Sequence, residues 1–153
     1  MSSSRSSSSG SLPPQLQSPE VQAFATGFPV TLLHAGVTLL MLIIGTTLYA
    51  MLTPHREIKL IREGNSAAAL SLGGVMVGLA IPLAVSLMAS TSVIEIVIWG
   101  AATIAVQLLV FRVTDMVLQG LPERIHEGEV AAAALLVGAK LATALILAAG
   151  VAG

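Results

Sequence analysis

Four long apolar runs separated by short polar segments organise this chain. Residues 30–52 carry no formal charge and include His34, residues 66–88 are uncharged, residues 93–111 contain Glu95, and residues 130–151 contain Lys140. Each run holds roughly 19–23 residues, and ~20 helical residues cross the ~30 Å hydrocarbon core of a bilayer. Backbone groups in lipid must bond within their own segment, so the runs predict helices. Helices of a soluble bundle would show a polar face at helical spacing, and these runs show none. The pattern therefore predicts an all-α integral membrane protein with four transmembrane helices. Residues 1–24, rich in Ser, Pro and Gln without an apolar run, read as a disordered tail rather than a signal peptide.

Composition agrees with this pattern. Of the 153 residues, 55% are hydrophobic and 10% charged, against about 25% charged in a soluble domain. Mean hydropathy is +0.91. A net charge of −1 provides no basic face for nucleic acid. The absence of cysteine excludes disulfides and thiolate metal sites. Arg56, Lys59 and Arg62 follow the first run, Arg112 and Arg124 follow the third, and the tail has only Arg5. By the positive-inside rule both charged loops lie in the cytoplasm and both termini outside.

The chain states one phrase twice. IREGNSAAALSLGG at 61–74 returns 64 positions later as IHEGEVAAAALLVG at 125–138. Nine of the twenty residues at 61–80 are identical at that offset, the Glu-Gly pair among them. Two copies of one helix hairpin follow, repeat 1 at about 29–88 and repeat 2 at about 93–152. Each holds an even number of spans, so the copies share one orientation, as in a parallel repeat. Pro54 and Pro122 end what precedes them. The segment at 54–65 suits a short interfacial helix, with Ile58, Leu60 and Ile61 toward lipid and the charges in water. Gly64 and Gly128 permit a sharp turn. Asn65 or Ser66 can cap the next span, and Glu129 is expected to do the same in the second copy. Gly74 and Gly78 form a G-xxx-G step, and Ala134, Gly138 and Ala142 a small-xxx-small ladder. Spans 2 and 4 are thus expected at the packed centre, with spans 1 and 3 toward lipid.

The block EIKLIREGNSAAALSLGGVMVGLAIPLA, the Trp99-Gly100 pair, QLLVFR at 107–112 and the second EG-x-x-AAA phrase resemble the YjfL-like family. These are small bacterial inner-membrane proteins carrying a twice-repeated domain of unknown function, number 350. The resemblance covers residues 25–152. In the second block Gly128-Glu129 stands where a second Gly-Asn belongs. The resemblance implies a four-span protein of the inner membrane and supplies no activity and no catalytic residue.

Several polar residues lie within the spans. Lys140 stands about ten residues into the fourth span, where an ammonium costs ~2.5–3.5 kcal/mol on insertion scales and should face protein or water. Its repeat mate is Met76, so the fold itself does not require the charge. One reading is an ion or solute site, with Thr103 and Gln107 as partners at matching depth. The other is a side chain that snorkels to the cytoplasmic surface. His34 and Glu95 share a depth that allows a proton-shuttling pair, though positions near span ends favour simple headgroup contact. Pro82 should kink the second span, and Trp99 is expected to pack inside. Glu63 and Glu127 match across the repeat, either as a paired carboxylate site or as complements to helix dipoles.

No phosphate loop, zincin motif or nucleophile–base set is present. The sequence therefore suggests neither an enzyme nor a cofactor. Two functions remain: a non-enzymatic membrane component that assembles with itself or with a membrane protein partner in the lipid bilayer, or an oligomeric channel or transporter for an ion or small solute.

Overall fold

The computed structural model describes residue 13, residues 18–53 and residues 57–153. Most of the expected tail, together with Pro54, His55 and Arg56, lies outside the described residues. Among the described residues six helices follow in order: α1 (Pro19–Leu52), α2 (Glu57–Arg62), α3 (Ser66–Ala89), α4 (Val93–Val117), α5 (Leu121–His126) and α6 (Val130–Ala152). No strand occurs among the described residues. Helices α1, α3, α4 and α6 are each long and apolar enough to cross a membrane. α1 begins at Pro19, a residue suited to a first turn because its missing N–H would have no partner there. Residues 19–24 of the expected tail are therefore helical.

The chain divides into two units, residues 1–33 and 34–153, with α1 running through the boundary. In the first, the Thr26 and Thr31 hydroxyls donate to carbonyls one turn earlier, and Phe24 stacks on Phe28 with ring centroids 5.0 Å apart. Such back-bonding keeps a hydroxyl satisfied where no water is available.

In the second unit α3 is the central element. Its most extensive partner is α6, and it also packs against α4, α2 and α5. Its buried positions, among them Ser71, Gly74, Val75, Gly78, Leu79, Pro82 and Leu83, recur every three or four residues. The expectation for α3 thus holds. That for α4 does not, because α4 buries as large a share of its span as α6 does. α1 buries the least, through Met41, Gly45 and Tyr49, which share one face at four-residue spacing. Outward faces are apolar, with Leu39, Ile43, Ile98, Leu109 and Ile146 exposed. Lipid is the solvent that makes such a surface stable. Trp99 belongs to it, at 58% exposure, and does not pack inside as expected. Pro82 lies within α3, where it has no N–H to donate to Gly78.

The repeated phrase builds the same turn twice. Gly64 and Gly128 adopt φ of 90° and 88°, a region that costs glycine nothing. The N–H of Asn65 donates to the Leu60 carbonyl and that of Glu129 to the Arg124 carbonyl, both at 2.9 Å. The N–H groups of Gly64 and Gly128 reach the Ile61 and Ile125 carbonyls, both at 3.0 Å. This pair of bonds is a Schellman termination, which ends α2 and α5 and turns the chain into α3 and α6.

Candidate functional site

Lys140 does not meet Thr103 or Gln107, and it does not snorkel. Its side chain is 1% exposed, with Nζ 2.8 Å from Asp115 Oδ1 and donating to Tyr49 Oη at 2.8 Å. It also lies over the Tyr49 ring, 4.7 Å from the centroid, and 5.3 Å from that of Phe111. The two rings meet edge to face at 6.1 Å and form an aromatic wall behind the ammonium.

Helix direction accounts for the meeting. Each Cα–Cβ bond leans toward the N-terminus of its own helix. Lys140 on α6 therefore leans toward the loop end of the bundle, while Asp115, on α4 of opposite course, leans away from it. The two side chains converge from different depths. Matching Cα depths pointed instead to Thr103 and Gln107. Because α4 continues to Val117, six residues past the expected end, Asp115 is held on a helix rather than in a loop. Asp115 was missed for that reason. The signal available was the four-residue ladder Thr103, Gln107, Phe111, Asp115 down one face.

Glu57 enters the same region from α2. The interfacial helix was expected to hold its charges in water, and Ile58 does face outward, but Glu57 is only 6% exposed. Its Oε1 accepts from the Ser71 hydroxyl at 3.3 Å, and Oε2 is buried with no hydrogen-bond partner among the described residues. Burial pushes its pKa up, the Lys140 charge and the Ser71 bond draw it down in part, and Asp115 adds to the rise. Tyr49, Glu57, Ser71, Arg112 and Asp115 line a cavity of 480 Å³ together with parts of α5.

The polar set breaks the repeat. At the offset of 64, Tyr49, Glu57, Ser71, Asp115 and Lys140 stand against Val113, Leu121, Leu135, Met51 and Met76. Every buried polar member thus has an apolar counterpart at the matching position of the other half.

The remaining candidates are dispersed. Thr103 donates to the Trp99 carbonyl at 2.7 Å within its own helix. Gln107 is wholly buried, and neither amide atom has a hydrogen-bond partner among the described residues. His34 and Glu95 form no bond with each other among the described residues. Glu95 Oε2 instead accepts from the Thr91 N–H at 2.7 Å and its hydroxyl at 3.0 Å, while Ser92 Oγ accepts from the Glu95 N–H. This local capping arrangement occupies the carboxylate. Glu95 also lines a second cavity of 350 Å³ with Ser86 and Trp99. Glu63 pairs with Lys59 at 3.7 Å and Glu127 is exposed.

Asn65 caps α3 through Oδ1, which accepts from the Ala68 N–H at 2.9 Å, and its Nδ2 donates to the Ile125 and His126 carbonyls, both at 3.1 Å. It thus ties the first copy of the turn to the second. Glu129 makes no capping bond, contrary to expectation. Arg124 captures its carboxylate in a two-pronged pair, which holds the Glu129 pKa low. Of the expected packing glycines, a Cβ at Gly74 would lie 2.6 Å from Val137 Cγ1, and one at Gly78 2.7 Å from Phe111 Cζ. The G-xxx-G step therefore serves two neighbours, α6 and α4. Gly138 is different: a Cβ there meets nothing, and Ala134, Gly138 and Ala142 all face outward. The mate of Val137 is Gly73, which presents no side chain and likewise has open space around its missing Cβ.

Residues 23–151 match the sequence model of a family described as Domain of Unknown Function (DUF350). The inner membrane protein YjfL of Escherichia coli (strain K12) is 34% identical over 102 residues, which cover 67% of this chain and 77% of that protein. Its counterpart from Escherichia coli O157:H7 gives the same figures. No solved structure matches this chain.

Proposed function

This chain belongs to the DUF350 family and is a multi-pass inner-membrane protein, and on that premise we propose that it is a non-enzymatic component that binds a small ion or solute in its loop-end cavity and moves it across the membrane as an oligomer. One observation carries this reading: the buried Lys140–Asp115–Tyr49 set occupies positions whose repeat mates are apolar. Ionisable groups inside a bilayer are costly, and they characteristically serve substrate or ion pathways. Four spans rarely enclose a path alone, hence the oligomer. Purified protein in liposomes, assayed for proton and alkali-ion flux, tests the proposal. Flux should exceed that of empty liposomes and disappear in Lys140→Met/Asp115→Met. Equal flux with and without the protein would overturn it.

Assembly has its own support in the outward-facing ladder of Ala134, Gly138 and Ala142, where another helix can approach closely. Gly138→Leu should shift the protein to a smaller species in light scattering, and an unchanged mass would remove this face from consideration.

We further infer that the hairpins are parallel repeats with both termini outside the cytoplasm. The twice-built Schellman turn supports the first part and the Arg/Lys bias the second. In intact cells an impermeant thiol reagent should label Ser92→Cys and spare Lys59→Cys; the opposite pattern reverses the topology.

A further inference from the structure

Among the described residues, the buried set at the loop-end cavity, Glu57 and Asp115 with Lys140 behind them, holds one carboxylate more than the ammonium neutralises. Lys140 donates to Tyr49 Oη and pairs by charge with Asp115 Oδ1. Glu57, more than nine-tenths buried, has one oxygen weakly bonded to Ser71 and the other with no partner among the described residues. A buried carboxylate oxygen without a donor is among the costlier groups a protein can keep. The matching position of the second half holds Leu121, so an apolar residue satisfies the fold there.

Titratable groups surround Glu57 from α1, α4, α5 and α6. Lys140 approaches from α6 and Asp115 from α4, with Tyr49 on α1. At the mouth the exposed Arg112 and Glu123 carry opposite charges, and His126 lines the wall. On α2 itself Lys59 and Arg62 face outward. The buried set therefore sums to one excess negative charge when both carboxylates are ionised. An anion would add to the excess, and a divalent ion would overshoot it and calls for several carboxylates. A volume of 480 Å³ admits a hydrated ion, since one water occupies about 30 Å³ of liquid.

We propose that Glu57 is the binding group for one small monovalent cation, a proton or an alkali metal ion, which enters through the loop-end cavity. The occupant settles on the free Oε2 and leaves the Lys140–Asp115 pair intact. Burial raises the Glu57 pKa, which agrees with a carboxyl that holds its proton more tightly than an exposed one. The inference deepens the preceding reading and rests on its assignment of ligand handling to this cavity.

Potentiometric titration of the purified full chain in lipid nanodiscs tests it. Wild type should take up one proton more than Glu57→Gln above the ordinary carboxylate range. Exchanging choline chloride for sodium or potassium chloride should release that proton if an alkali ion competes for the site. Absence of release identifies the occupant as the proton alone. Identical titration curves for wild type and Glu57→Gln in all three salts would overturn the proposal. Should Glu57→Gln fail to fold, Glu57→Leu, with the residue type of Leu121, replaces it. The wild-type protein also offers an independent reading through the infrared carbonyl band of a protonated glutamic acid, followed against pH with labelled glutamate. A missing band across the range would equally overturn the proposal. A proton difference without any liposome flux would leave the cation site standing and defeat the transport reading.

Discussion

Lys140 and Asp115 form a buried ion pair, 2.8 Å from Nζ to Oδ1, at positions whose counterparts in the other half of the chain, Met76 and Met51, are both methionine. The pair thus replaces two apolar residues that the same fold accepts elsewhere. Removing one partner leaves the other charge uncompensated, at a cost of about 3–5 kcal/mol, whereas replacing both by apolar residues is often close to neutral. Lys140→Met and Asp115→Met alone should each destabilise strongly, and the double variant should recover most of the loss. A double-mutant cycle by denaturation in mixed micelles measures this. Additive losses would mean that the two residues act independently.

Glu57 should make stability depend on pH. Its folded-state pKa is raised by burial, so the native protein binds the proton more tightly than the unfolded chain. Stability is then fully present below the ordinary carboxylate pKa and falls as pH rises through the raised value. Glu57→Gln should flatten the decline and leave a more stable protein on the alkaline side. Thermal unfolding of both proteins across that window checks the sign, and parallel profiles would show that Glu57 does not ionise there.

Gly74 and Gly138 coincide in the repeat but not in their surroundings. Gly74→Ala drives a methyl group into Val137, and overpacking of this kind costs ~1–3 kcal/mol. Val137→Ala should relieve it. Gly138→Ala meets open space and gains helix propensity, so it should be neutral or slightly stabilising. Unfolding midpoints of the three variants and the Gly74→Ala/Val137→Ala pair decide the matter. A Gly74→Ala protein as stable as wild type would place the α3–α6 contact elsewhere.

Asn65 and Glu129 occupy the same position of the two turns with different roles. Asn65→Ala removes a cap, worth about 1 kcal/mol, and two bonds to α5 carbonyls, so it should cost clearly more than Glu129→Ala, which loses an exposed ion pair of small value. Hydrogen exchange at Ala68, whose N–H donates to Asn65 Oδ1, should rise in the first variant alone. Equal losses would show that the bridge between the copies contributes nothing.

What the sequence determined by itself was everything set by local chemistry and by the solvent. Four runs too apolar for water and long enough for a bilayer became α1, α3, α4 and α6. Gly64 and Gly128 gave the turns because only neighbouring backbone bonds are involved. Asn65 gave the cap because its partner lies three residues on. The buried charge at Lys140 was also legible, since its cost depends on depth along one helix. Its partner was not. Which side chains meet depends on how each helix is rotated and on the opposite lean of side chains on helices of opposite course, and neither leaves a mark in linear spacing. Rotation turned Gly138 outward and Gly74 inward although the repeat makes them equivalent. Tertiary packing drew Glu57 from the water-facing side of a short amphipathic helix into a cavity with Ser71, and carried α4 far enough for Asp115 to reach Lys140. A long-range contact depends on the whole packed arrangement, and only the tertiary structure determines it.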